Sequence, residues 1–178
     1  MKDFEVFRGR RAKFLTQLGG KAAIIPAASL VTHHADCEYP FRQNSDFWYL
    51  TGFDEPDAVA FFLPFRPEGE KYILFVKPRD PKTEVWQGFL WGSEGAVNEF
   101  GADIAHSLDD LPNLIGHYLS GADGIAFRIG KQSSIETLVL KTWAEQLEKS
   151  QRGETYPSAI VAPCPILHQM RLYKDEIE

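Results

Sequence analysis

Asp36-Cys37-Glu38-Tyr39-Pro40-Phe41-Arg42-Gln43-Asn44-Ser45-Asp46-Phe47-Trp48-Tyr49-Leu50-Thr51-Gly52-Phe53 is the stretch on which the reading of this chain turns. Six aromatic rings stand among charged and amide side chains, and neither a helical nor a strand period is sustained through it. Arg42, Gln43, Asn44 and Asp46 can each hydrogen-bond several backbone groups, which a long, partly buried loop needs. Taken alone, these residues predict an ordered loop, reaching back to Ala27 and pinned by its own polar groups. Phe47, Trp48, Tyr49 and Phe53 read first as a packed anchor for that loop. An exposed share of them would mark a protein–protein or interdomain surface.

Elements on either side are easier to place. Residues 3–18 carry Phe4, Phe7, Phe14, Leu15 and Leu18 near one face of a helix, with Arg8, Arg10, Arg11 and Lys13 on the other faces as a solvated surface. Gly19-Gly20 ends that helix, and Ala22–Pro26 reads as a short strand. Asp57–Leu63 and Lys71–Lys77 are apolar runs that suit strands buried on both faces, and the turn-like Pro64–Glu70 between them predicts an antiparallel hairpin. Short helical pieces are expected over 82–100, around Trp86, Trp91 and Phe100, then a short strand at Ile104–His106. Ser107 with Asp110 opens a helix to about Leu119, and Gly124–Ile129 is the next strand. Ser133 with Glu136 caps a helix over 134–149, whose stripe is Ile135, Leu138, Val139, Trp143 and Leu147. A last strand at Tyr156–Val161, a helical turn near Ile166–Arg171 and the first turn of a further helix at Lys174–Glu178 complete the pattern. Strands alternating with helices predict an α/β fold, a mixed β-sheet flanked by helices.

Length and composition bound the function. A chain of 178 residues makes one domain with a full core, and 44% hydrophobic with 25% charged residues is ordinary for a soluble globular protein. The net charge of −6, with Lys and Arg scattered, argues against a nucleic-acid partner. No apolar run approaches the roughly 18 residues of a membrane span. Met1-Lys2-Asp3-Phe4-Glu5 has no apolar core of a signal peptide. The two cysteines, Cys37 and Cys164, are far apart and fit a reducing compartment, so a cytoplasmic location is expected.

Candidate chemistry is thin. His33-His34-Ala35-Asp36-Cys37-Glu38 gathers metal-capable types, but adjacent residues diverge on a strand and no H-x-x-x-H or C-x-x-C pair supports them elsewhere. The cluster reads as polar anchoring of a loop rather than a metal site. Cys37, beside two carboxylates that would raise its pKa, reads as a small buried cysteine rather than a nucleophile. No G-x-S-x-G and no phosphate-binding glycine loop is present. No catalytic residue and no metal ligand is assigned.

The run from Glu38 to Pro56, EYPFRQNSDFWYLTGFDEP, resembles the corresponding segment in the N-terminal domain of Xaa-Pro aminopeptidases (aminopeptidase P) of the creatinase/prolidase metallopeptidase family. His168-Gln169-Met170-Arg171-Leu172-Tyr173-Lys174 is similar to the segment that leads from that domain into the catalytic one. The resemblance implies a ribonuclease H-like creatinase/prolidase N-terminal fold over 1–173, with 174–178 starting a linker helix to a C-terminal pita-bread catalytic domain. It also implies hydrolysis of an N-terminal residue preceding proline, with two manganese ions held by two aspartates, a histidine and two glutamates of that further domain. This chain would then be non-catalytic, shaping substrate access and mediating contacts in a homo-oligomer.

Within Glu84-Val85-Trp86-Gln87-Gly88, Trp86 matches a tryptophan that in bacterial relatives reaches the rim of an active site, which implies a substrate-binding role for Trp86 toward a proline-containing peptide. Core packing of the indole is the plainer reading of the same residue. Several bacterial members follow this segment with two arginines where this chain has Phe89-Leu90, which weakens any charge-based role for the loop. Two other functions remain open from the sequence: a stand-alone binding or scaffold domain, and an independent enzyme using the cluster 33–38.

Overall fold

A computed structural model describes residues 4–35, 37–80, 88–149 and 155–174. Six strands, β1 (Lys21–Pro26), β4 (Val59–Phe62), β5 (Tyr72–Val76), β6 (Ile104–Ser107), β7 (Gly124–Ala126) and β8 (Ile160–Val161), form one sheet in the order β6-β5-β4-β1-β7-β8. β4 runs antiparallel to both β1 and β5, with Ile24 opposite Phe61 and Phe61 opposite Ile73. The β1–β7, β5–β6 and β7–β8 pairs are parallel, so the sheet is mixed as expected.

The central strands are apolar throughout because both faces of the sheet are covered. One face, with Ala23, Ile25, Phe62 and Leu74, packs against α1 (Phe4–Leu18), α2 (Ser45–Thr51), α3 (Gly92–Asn98) and α6 (Cys164–Met170). The other, with Ile24, Phe61, Phe75 and Ile125, packs against α4 (Leu111–Leu119) and α5 (Ser133–Lys149). In α1 the expected stripe holds, with Phe7, Phe14 and Leu18 buried. The stripe of α5 buries Val139 and packs Ile135, Leu138 and Trp143 at its margin. At the start of α5 the expected box does not close onto Ser133: the Glu136 carboxylate instead accepts from Gly130 N–H at 2.7 Å.

Four expectations are corrected. Residues 27–53 are not one loop: they contain an exposed hairpin of β2 (Thr32–His34) and β3 (Cys37–Glu38), followed by α2. A two-turn helix forms because both its ends are satisfied. Asn44 caps it by accepting from Asp46 N–H at 2.9 Å, and Gly52, at φ 65°, turns the chain out and donates to Trp48 C=O. Arg10 and Arg11 are not on a solvated face, being only 4% and 7% exposed. Ser107 caps a 3-10 turn at Leu108–Asp110, after which α4 begins. Strands β7 and β8 are also shorter than the apolar runs containing them. Trp86 and residues 175–178 lie outside the described residues, and Lys174 is not helical.

Candidate functional site: the cluster around α2 and the adjoining cleft

Gln43 is the hub of the site. Its Oε1 accepts from Ala28 N–H at 2.7 Å and Asn44 N–H at 2.8 Å, while Nε2 donates to Glu55 C=O at 2.9 Å and Phe53 C=O at 3.3 Å. One amide thus joins the segment after β1, the start of α2 and the segment before β4, with all its hydrogen-bonding capacity in use. Glu55, 8% exposed, extends the network: its Oε1 accepts from Trp91 N–H at 2.6 Å. Burial pushes the Glu55 carboxyl above its ordinary value, opposed by that N–H and by the charge of Lys77.

Below the hub, α2 lies against the N-terminal helix. Arg10 and Arg11 donate to the carbonyls of Tyr49 and Leu50, both at 3.2 Å, in the last turn of α2, where carbonyls lack intrahelical partners. The Arg10 guanidinium sits 4.1 Å from the Tyr49 ring centroid and that of Arg11 4.4 Å from the Tyr72 ring. Phe47 and Phe53 are fully buried and Tyr49 nearly so, as the packed anchor requires, while Trp48 is half-buried and packs edge-on to Phe7.

The two stretches quoted from the sequence meet in space. Arg171 donates to Asp46 at 2.6 Å and Tyr49 Oη to Met170 C=O at 3.1 Å, joining residues more than a hundred positions apart. Beside this junction a cleft of about 650 Å³ opens at the carboxyl ends of β1 and β7. Arg42, Arg128, Lys131 and Arg171 line it, although no sequence spacing links them.

His33, His34, Cys37 and Glu38 lie exposed on the β2–β3 hairpin, and the His33 ring packs edge-on to Tyr39. Cys37 is exposed, contrary to the expected burial, because the hairpin projects from the body of the sheet. Among the described residues no three His, Cys, Asp or Glu side chains converge as metal ligands, so the donor set for two manganese ions is not found in them. Three positions after Trp86 in the sequence, Phe89 is exposed and packs edge-on to Trp91 at 5.1 Å.

The model for the family described as "Aminopeptidase P, N-terminal domain" matches residues 7–126. The Xaa-Pro aminopeptidase of Escherichia coli K12 is 34% identical over 173 residues, which is 97% of this chain and 39% of the relative. That of Haemophilus influenzae is 31% identical over 98% of this chain and 38% of its own length. The structure of Pseudomonas aeruginosa aminopeptidase PepP superimposes with a TM-score of 0.90 at 33% identity, covering 97% of this chain and 39% of that one. Zinc-substituted E. coli aminopeptidase P in complex with product gives the same TM-score and identity over 98% of this chain. The chain therefore spans about two fifths of the length of these relatives. Since the match takes in both the sheet and the α2 cluster, this chain belongs to the aminopeptidase P N-terminal domain family.

Proposed function

We propose that this chain is the non-catalytic N-terminal lobe of a metal-dependent Xaa-Pro aminopeptidase, and that it shapes substrate access and oligomer contacts. The observation that carries this reading is coverage: nearly the whole chain aligns, yet it spans only 39% of an enzyme named for Xaa-Pro aminopeptidase activity. Two features of the chain support it. The described residues offer no metal donor set. Leu172 and Tyr173, 74% and 85% exposed, put apolar surface beside the α2 junction, as expected where a further domain docks. Residues 1–173 are then the lobe and 174–178 the start of the linker to a pita-bread catalytic domain, with any helix in it beginning after Lys174. The two manganese ions belong to that domain, and the complete protein is a cytoplasmic homo-oligomer. Within the lobe, Trp86 contributes to binding the proline-containing peptide.

The test compares the isolated chain with a protein carrying a catalytic domain, both supplied with Mn²⁺ and an Xaa-Pro peptide. The isolated chain is expected to be inactive and to retain no stoichiometric metal. Metal-dependent peptide cleavage by the isolated chain would overturn the reading. In the two-domain protein, Trp86→Ala is expected to lower kcat/KM by about 10-fold or more, the scale of a lost aromatic contact to substrate, while leaving the melting temperature unchanged.

A further inference from the structure

The cleft at the carboxyl ends of β1 and β7 lies where two parallel neighbours send the chain in opposite directions, from β1 toward β4 and from β7 toward β8. Loops that diverge in this way leave a crevice, and open α/β sheets hold ligands at such points. At about 650 Å³ the crevice falls within the roughly 300–1,000 Å³ of small-molecule sites. It is also held open by internal bonds. The Gln132 amide donates to Ala27 C=O, Gln43 fixes the segment after β1, and the Asp46–Arg171 pair braces the wall formed by α2 and α6.

Its chemistry has one sign. Pro26 and Ala28, half-buried, and the exposed Val31 supply an apolar floor, and Arg42, Arg128 and Lys131 stand exposed around the rim. Among the described residues, none of these three cations has an ion-pair or hydrogen-bond partner, and the one carboxylate lining the cleft, Asp46, is already taken by Arg171. A protein of net charge −6 thus gathers uncompensated positive charge over an apolar crevice.

We propose that this cleft binds small organic carboxylates, with the apolar body on Pro26, Ala28 and Val31 and the carboxylate facing Arg42, Arg128 and Lys131. An apolar floor sets the size of the body, and guanidinium and ammonium groups on the rim suit a carboxylate. The proposal stands independently of the peptidase reading, since it needs neither metal nor a second domain.

The probes are N-acetyl-Leu-Phe, its C-terminal amide and 3-phenylpropionate, titrated into the isolated chain at low salt by calorimetry and amide NMR. The expected result is saturable binding of the acid, shifts at Phe127, Arg128 and Gly130, at least about 10-fold weaker binding of the amide, and weakening by added NaCl. R128E/K131E, on exposed positions, is expected to abolish binding without changing the melting temperature; R42E provides the same reading should the double variant not fold. Phenylpropionate binding as tightly as the peptide assigns the cleft to organic acids in general, whereas tighter peptide binding assigns it to peptide C-termini, and both support the proposal. Equal affinity of acid and amide, unchanged affinity in the charge-reversal variants, or no saturable binding at millimolar probe would overturn it.

Discussion

Replacing Arg11 by methionine isolates what a buried cation contributes to the α1–α2 contact. The guanidinium is 7% exposed, donates to Leu50 C=O at 3.2 Å and stacks 4.4 Å from the Tyr72 ring centroid. Burial lowers its pKa from the ordinary arginine value, with Tyr72 and Asp103 opposing that shift. Methionine keeps the stem but strands the Leu50 carbonyl, which sits in the last turn of α2 and has no helical donor. The losses are a hydrogen bond from a charged donor, about 1.5–3 kcal/mol, and a cation–ring contact, about 0.5–2 kcal/mol. Relief of the guanidinium's desolvation offsets a part of comparable size. The expected net cost of R11M is about 1–2 kcal/mol, and of R11A about 3 kcal/mol because the packed stem is lost as well. Urea unfolding measures this as a lower midpoint at unchanged m-value. A double-mutant cycle with Y72L should return a coupling near 1 kcal/mol. An R11M variant as stable as the wild type would refute the reasoning, since the stranded carbonyl would then carry no cost.

Three further outcomes follow from the same network. Gly52→Ala should destabilise by more than the roughly 1 kcal/mol of a left-handed residue, because its Cβ would lie 2.8 Å from the Phe7 ring; thermal denaturation checks it, and a loss below that figure would mean the ring moves freely. Asp46→Asn should cost about 1–2 kcal/mol and raise hydrogen exchange in α6, since the Arg171 contact at 2.6 Å is one of two side-chain ties from α2 to the end of α6; unchanged exchange there counts against the tie. The carboxyl of Glu55, raised from an ordinary value of 4.5, binds its proton more tightly in the folded chain than in the unfolded one. Its contribution to stability is therefore greatest below pH 4.5 and falls as pH rises through the folded value, so the stability difference between wild type and Glu55→Gln should shift in favour of the glutamine variant from pH 4 upward. A difference that stays constant with pH excludes Glu55 as the titrating group.

The sheet was legible because each central strand is an apolar run, and burial on both faces demands such runs. The helix at Ser45–Thr51 was not read from periodicity, since two turns are too short to display a period, although Asn44 and Gly52 at its ends carried the signal. Nothing local marks Arg10 and Arg11 as buried, because their acceptors lie 39 positions away. The cations of the cleft give the same lesson in topological form. Within the six-stranded sheet, Arg42 comes after β1 by way of the β2–β3 hairpin, Arg128 and Lys131 directly follow β7, and Arg171 comes after β8 by way of α6. These three strands are parallel neighbours, so the segments that leave them emerge at one end of the sheet and bring together charges that look scattered along the chain. Charge scattered in sequence therefore excludes a basic helix face or a basic tail, but it does not exclude a local positive site. Where strands run parallel, charge is better counted by the strand end each residue follows than by its distance along the chain.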